Sequence, residues 1–177
     1  MDERELVVER MWDGQPARDD ERVRMRITLA STGLDISVEA PFHGDEPPRA
    51  APGPLWGLWD HEVVEVFVLG PGEVYTEIEL GPHGHYLVLR LAARREAVAC
   101  ALLDAFRPQI RGPRWTASIH IPVELLPPPP HRLNAYAIHG QGDLRRFLAL
   151  WAVPGAGPDF HRLECFRAID QLPARST

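Results

Sequence analysis

The stretch Leu58 to Phe67, LWDHEVVEVF, sets Trp59, Asp60, His61 and Glu62 against an apolar run that carries a further acid, Glu65. That grouping suits the edge of a ligand site, a metal site or a salted strand end. Further along, Glu77 and Glu79 stand two residues apart, about 6.8 Å between Cα positions if the segment is extended. Paired carboxyls at such spacing permit hydrolytic acid–base chemistry, although acids on a sheet face are more often solvated or ion-paired, as Arg90 would pair here. His83-Gly84-His85 has an H-x-H spacing that puts two ring nitrogens on one side of a strand. No H-E-x-x-H helix motif and no Gly-x-Ser-x-Gly elbow occurs, and neither Cys100 nor Cys165 sits in a nucleophile signature.

The elements that must position these residues read as strands. Val23, Met25, Ile27 and Leu29 alternate with Arg22, Arg24, Arg26 and Thr28, the two-residue period of a strand with one wet face. Leu34 to Ala40 alternates in the same way and makes a hairpin with it. Glu5 to Arg10 is a further short strand. The Pro- and Gly-rich segment from Pro41 to Pro54 can sustain neither helix nor ladder and is expected as a surface loop. Val63 to Leu69, Val74 to Leu80 and Tyr86 to Leu91, joined by Gly-rich turns, predict a three-strand meander. Keeping apolar groups together places Val64, Val66, Val68, Thr76, Ile78, Leu80, Leu87, Leu89 and Leu91 on its inner face. The other face then carries Glu65, Phe67, Tyr75, Glu77, Glu79, Tyr86 and Arg90, a candidate recognition surface rich in acids and aromatics. Trp115 to Ile121, Leu133 to His139 and Arg146 to Val153 are later strands, and Arg94 to Phe106 reads as either a helix or a strand. Many short strands between proline and glycine clusters give an all-β fold, an antiparallel β-sandwich or jelly roll with at most one short helix.

At 177 residues the chain predicts a single domain over 1–177. Its composition, 45% hydrophobic and 25% charged, is that of a globular protein. The net charge is −6 and all 19 basic residues are arginine, with no basic patch of the kind nucleic acid requires. The N-terminal MDERELVVER lacks a secretory pattern and no apolar run reaches membrane length, so a cytoplasmic protein without nucleic-acid or membrane partners is expected. Two isolated cysteines fit reduced thiols or, at most, one bridge.

Five segments in order, LWDHEVVEVFVLG, YTEIELGPHGHYLVL, WTASIHIP, LNAYAIHG and PDFHRLECF, resemble family-9-type carbohydrate-binding modules and their DOMON-like β-sandwich relatives. The resemblance runs from about Trp12 to Phe166. A more detailed likeness, through Trp12-Asp13-Gly14, Ala40-Pro41-Phe42, Glu62-Val63-Val64-Glu65, Pro82-His83-Gly84, Ala137-Ile138-His139-Gly140 and Pro158-Asp159-Phe160-His161, is to an uncharacterised conserved family typified by an open-reading-frame protein of vertebrate chromosome four. The sequence departs from the wider modules at Ala137, where many have arginine, and at Ser118, where the pattern W-x-x-E-x-x-I-P has glutamate.

What the resemblance implies is a non-catalytic module for a carbohydrate or related polyhydroxyl ligand. A sugar site needs an aromatic platform for the pyranose face and acids or amides for the hydroxyls. Trp59 and Trp151 are the expected platforms, with Asp60, Glu62, Glu77 and Asn134 on the hydroxyls. The competing structural reading is that sandwich tryptophans plug the ends of the fold, as Trp115 is expected to do in the core. The alternative function is an intracellular metal-dependent enzyme or metal-binding protein. There His83, His139 and His161, with Asp60 or Glu79, would hold a divalent metal, the one cofactor weighed. Each of these histidines also falls at a turn or strand end, where bonding to loop backbone would explain it. Haem, bound by some DOMON relatives, would need a Met and His pair, and Met1, Met11 and Met25 all lie near the start.

Overall fold

A computed structural model describes residues 2–103 and 106–172. The strands are β1 (Asp2–Val8), β2 (Arg10–Met11), β3 (Val23–Ala30), β4 (Gly33–Pro41), β5 (Gly53–Pro54), β6 (Val63–Leu69) and β7 (Tyr75–Leu80). They continue as β8 (His85–Ala93), β9 (Glu96–Cys100), β10 (Gln109–Arg111), β11 (Arg114–Pro122), β12 (Arg132–His139), β13 (Arg146–Ala149) and β14 (Arg167–Ala168). One sheet has the order β1-β3-β4-β11-β10. The other runs β2-β13-β12-β6-β7-β8-β5, with β14 added to β12 and β9 to β8. All pairings are antiparallel except the short β5–β8 contact. The two sheets make an all-β sandwich, as the strand pattern predicts.

The core between the sheets follows from the alternation. Val23, Met25 and Ile27 are buried and Arg24 and Arg26 exposed on β3, and on β11 Trp115, Ala117, Ile119 and Ile121 point inward. These meet Val64, Val66, Val68, Ile78 and Leu80 of the larger sheet. At the β3–β4 hairpin Gly33 has φ +142°, and a Cβ there would lie 2.1 Å from the Ile121 carbonyl oxygen, so only glycine fits.

β6 and β7 are buried along their whole length because a second apolar cluster forms on the outer side of the larger sheet. Phe67, Tyr75, Leu89 and Tyr136 project there and are covered by Phe160, Leu163 and Phe166 from the segment after β13.

One expectation is corrected and one open alternative is resolved. Leu87, Leu89 and Leu91 lie on the outer side, and Tyr86 and Val88 face the core, since Ile78 pairs with Val88 and Glu77 with Leu89. β8 is apolar on both faces, so its pattern carries no parity information, and the β7–β8 turn sets the register. Arg90, opposite Thr76, therefore leaves the acidic face. The segment Arg94 to Phe106 contains strand β9, not a helix. It folds back on β8 around Arg95, whose φ is +63°, while Asp104 and Ala105 lie outside the described residues. Among the described residues the helical pieces are single 3-10 turns of three residues, and no helix is long and apolar enough to cross a membrane. Both cysteines are free thiols.

Candidate ligand pocket

β6 and β7 place three glutamates on the outer side of the larger sheet. Glu65 pairs with Glu79 and Phe67 with Glu77, so the parity that buries Val64, Val66 and Ile78 in the core turns all three acids outward together. Directly opposed residues have Cβ atoms about 5 Å apart, so the carboxyls share one floor. They are almost wholly buried, with 2%, 4% and 0% of Glu65, Glu77 and Glu79 exposed. Neither Glu79 oxygen has a hydrogen-bond partner among the described residues, and Glu65 accepts no hydrogen bond among them.

Burial pushes the Glu65 and Glu79 carboxyls well above the usual range. The Glu77 charge adds to this at Glu65, and the Glu65 and Glu77 charges add to it at Glu79, while Arg145 pulls Glu65 back. Glu77 is raised by burial too, less so because of the adjoining Glu79 carboxyl and Arg95. Three acids in one low-dielectric floor cannot all ionise.

A cavity of about 540 Å³ opens above this floor, with Trp56, Trp59, Phe147 and Phe160 among its walls. Gly57, at φ +82°, turns the chain sharply into the Leu58–Asp60 turn and sets Trp56 edge-on to Trp59, ring centroids 5.3 Å apart. Arg145 pins this rim by donating to the carbonyls of Trp59 and Asp60, and its guanidinium lies 5.4 Å from the Phe147 ring centroid. On the opposite rim Arg95 pairs with Asp159 at 2.7 Å. The Arg95 backbone N–H donates to the Tyr75 hydroxyl, which shares a 2.6 Å hydrogen bond with His161 Nδ1. Burial, with Arg95 nearby, lowers the His161 pKa to about 4, and burial raises that of Tyr75 to about 12, so both are neutral.

Three of the six residues expected to bind ligand line this pocket: Trp59, Asp60 and Glu77. The other three do structural work. Glu62 accepts the backbone N–H groups of His43 and Asp45 at 3.0 and 3.3 Å and so fixes the Pro-rich loop. Asn134 is fully buried and bonds both the N–H and the carbonyl of Trp151. Trp151 packs against the inter-sheet core with Arg167 over its ring.

The three histidines are not brought together. His161 is in the pocket wall, His139 bonds Glu21 at 3.1 Å under the ring of His43, and His83 packs edge-on against Phe42. Among the described residues no group of three or more His, Cys, Asp or Glu side chains is arranged to hold a metal ion. Sequence reasoning did not place Trp56, Phe147, Phe160, Arg95 or Arg145 at the site. Trp56, two-thirds exposed and three residues from Trp59, was the one with a local signal. A second depression, of about 630 Å³ on the outer face of the five-stranded sheet, has Arg24, Arg26, Ser37 and Thr116 in its lining and no aromatic ring.

No model of a protein family matches the chain. Full-length relatives do. The chain is 41% identical to the mouse UPF0462 protein C4orf33 homolog over 172 residues, covering 92% of this chain and 89% of the relative. It is 39% identical to human UPF0462 protein C4orf33 over 175 residues, covering 94% and 87%. The chain belongs to the UPF0462 family. Among solved structures, one from Bacteroides uniformis, called a "putative carbohydrate-binding protein", superposes with a TM-score of 0.72 at 16% identity over 92% of this chain and 84% of that one. At that identity the likeness shows a shared sandwich fold for the UPF0462 chain, and nothing finer.

Proposed function

We propose that the protein is a non-catalytic binding protein for a carbohydrate or related polyhydroxyl ligand, held in the outer-side pocket. The observation that carries this reading is the pairing of aromatic walls with a buried carboxyl floor whose hydrogen-bonding capacity the protein leaves largely unused. Trp59, with Trp56 beside it, supplies a platform for an apolar sugar face, and Glu65, Glu77 and Asp60 offer acceptors and proton donors for hydroxyls. The His161 ring is a further hydrogen-bonding group on the wall. The fold shared with a protein named for carbohydrate binding is consistent with this reading. Catalysis of glycoside cleavage is disfavoured by the layout, because the carboxyls rise from one floor on adjacent strands, and hydrolysis needs two of them flanking the bond.

Calorimetric titration with a panel of mono- and oligosaccharides is expected to give saturable binding for at least one member. Trp59→Ala should weaken it by about tenfold or more, a loss of ~1.4 kcal/mol or greater, and Glu77→Gln should change the preference among sugars. Trp151→Ala should leave affinity unchanged. Absence of binding across the panel, or dependence on Trp151 instead of Trp59, would overturn the proposal.

A further inference from the structure

The charge balance of the pocket floor narrows the ligand. Glu65 and Glu77 line the cavity and Glu79 lies behind them, all more than nine-tenths buried. The nearby cations are already engaged. Arg95 is paired with Asp159, and Arg145 has its terminal nitrogens on the carbonyls of Trp59 and Asp60. Asp60 adds another acid at the rim.

Neutral hydroxyls satisfy carboxyl lone pairs but bring no charge, so with a neutral sugar the floor must go on holding protons. A protonated amine brings three N–H donors and a positive charge in one group. Buried charges are stable when paired and hydrogen-bonded, and the faces of Trp59, Phe147 and Phe160 are favourable surroundings for an ammonium group.

We propose that the pocket takes a ligand bearing a protonated primary amine, seated amine-first against Glu65 and Glu77. Within the polyhydroxyl reading, on which this inference rests, that ligand is an amino sugar. Binding then releases protons from the floor to solvent. The other ionisable groups facing the site do not exchange protons near neutrality. Tyr75 and Tyr136 are held above their ordinary range mainly by burial, His161 is neutral above about pH 4, and the arginines stay charged. Burial would raise the Asp159 carboxyl at the rim, but the His161 backbone N–H and Arg95 outweigh it and hold it below its ordinary range. At about pH 6, where the ligand amine is already protonated in solution, the carboxyl floor is therefore the source of any protons released.

The test is calorimetry with matched sets in gluco, galacto and manno configuration: the parent sugar, its 2-amino form and its 2-acetamido form, with putrescine as an amine without a sugar. Each titration is run in phosphate and in HEPES, whose different ionisation enthalpies report proton release. The expected result is that a 2-amino sugar binds at least about tenfold more tightly than both partners of its set, with net proton release. Glu65→Gln and Glu77→Gln should abolish that preference while melting no lower than the parent protein. Equal or tighter binding of the parent or acetamido sugars would overturn the amine assignment and leave the polyhydroxyl reading standing. Binding of putrescine with no sugar bound would support the amine assignment and overturn the polyhydroxyl reading. Silence in every arm would sink both.

Discussion

Replacing Glu21 by alanine is expected to destabilise the protein by about 3–5 kcal/mol, a fall of roughly 6–20 °C in melting temperature for a chain of this length. Glu21 is fully buried at the entrance to β3, yet its carboxylate serves the other sheet. It takes two hydrogen bonds from the Arg146 guanidinium, at 2.7 and 3.0 Å, one from His139 Nε2 at 3.1 Å and one from the Arg18 backbone N–H at 2.8 Å. A contact from the Arg18 guanidinium at 3.0 Å completes the set. Removing the acid strands a half-buried arginine and a buried imidazole at the seam of the sandwich. Burial alone would raise the Glu21 carboxyl, but the hydrogen bonds and charges of Arg146 and Arg18 outweigh it and hold the pKa down to about 2.

A carboxyl depressed in the folded state contributes stability that is present above its unfolded value, near 4.5, and is lost as pH falls through about 2. The gap in melting temperature between parent and Glu21→Ala should therefore be full above about pH 5 and close progressively below it. Melts recorded by circular dichroism from pH 7 down to pH 3 measure this. A gap that stays constant to pH 3, or no gap at pH 7, would contradict the account of this hub.

Glu79→Gln is expected to act in the opposite direction and stabilise the protein, increasingly so as pH rises. Here the folded carboxyl is raised, by burial first and then by Glu65 and Glu77. Its contribution is therefore fully present below about pH 4.5 and is lost as pH rises through the folded pKa, at up to ~1.4 kcal/mol per pH unit for one proton. Glutamine keeps the shape and cannot ionise. The histidines titrate in the same window: burial lowers His43 and His161 to about 4, so their contribution is present above about 6.5 and lost below it. They are common to parent and variant and cancel in the difference. The variant should match the parent near pH 4.5 and melt increasingly above it as pH rises to 8. A variant that melts below the parent at pH 8 would mean the Glu79 carboxyl is satisfied by something other than its neighbouring acids.

The sandwich, the β3–β4 hairpin and the β6–β7–β8 meander were legible because a period of two with one wet face leaves a strand few alternatives. The outward turn of Glu65, Glu77 and Glu79 was legible for the same reason, since Val64, Val66 and Ile78 fix the parity of β6 and β7. β8 was not, because both of its faces are apolar and both are buried. The pocket walls were harder still. Phe160 and Arg95 reach the pocket from the path of the chain after β13 and from the β8–β9 turn, neither of which has periodicity to read, while Arg145 and Phe147 come from the start of β13. Asn134 and Glu62 looked like ligand groups because their types suit hydroxyls; their partners turned out to be backbone atoms of Trp151 and of the 43–45 loop.

The five tryptophans offer the most direct test of where the ligand sits. Trp56 and Trp59 line the pocket, Trp115 lies between the sheets, and Trp12 and Trp151 are not among the residues lining the cavity. Assigned indole N–H resonances, followed by ¹H–¹⁵N NMR while the tightest-binding sugar of the panel is titrated in, report all five at once. The account predicts that the Trp56 and Trp59 signals move saturably at the calorimetric affinity while those of Trp12, Trp115 and Trp151 stay in place. Movement of Trp151 or Trp12 with Trp56 and Trp59 unmoved would place the ligand elsewhere and contradict it.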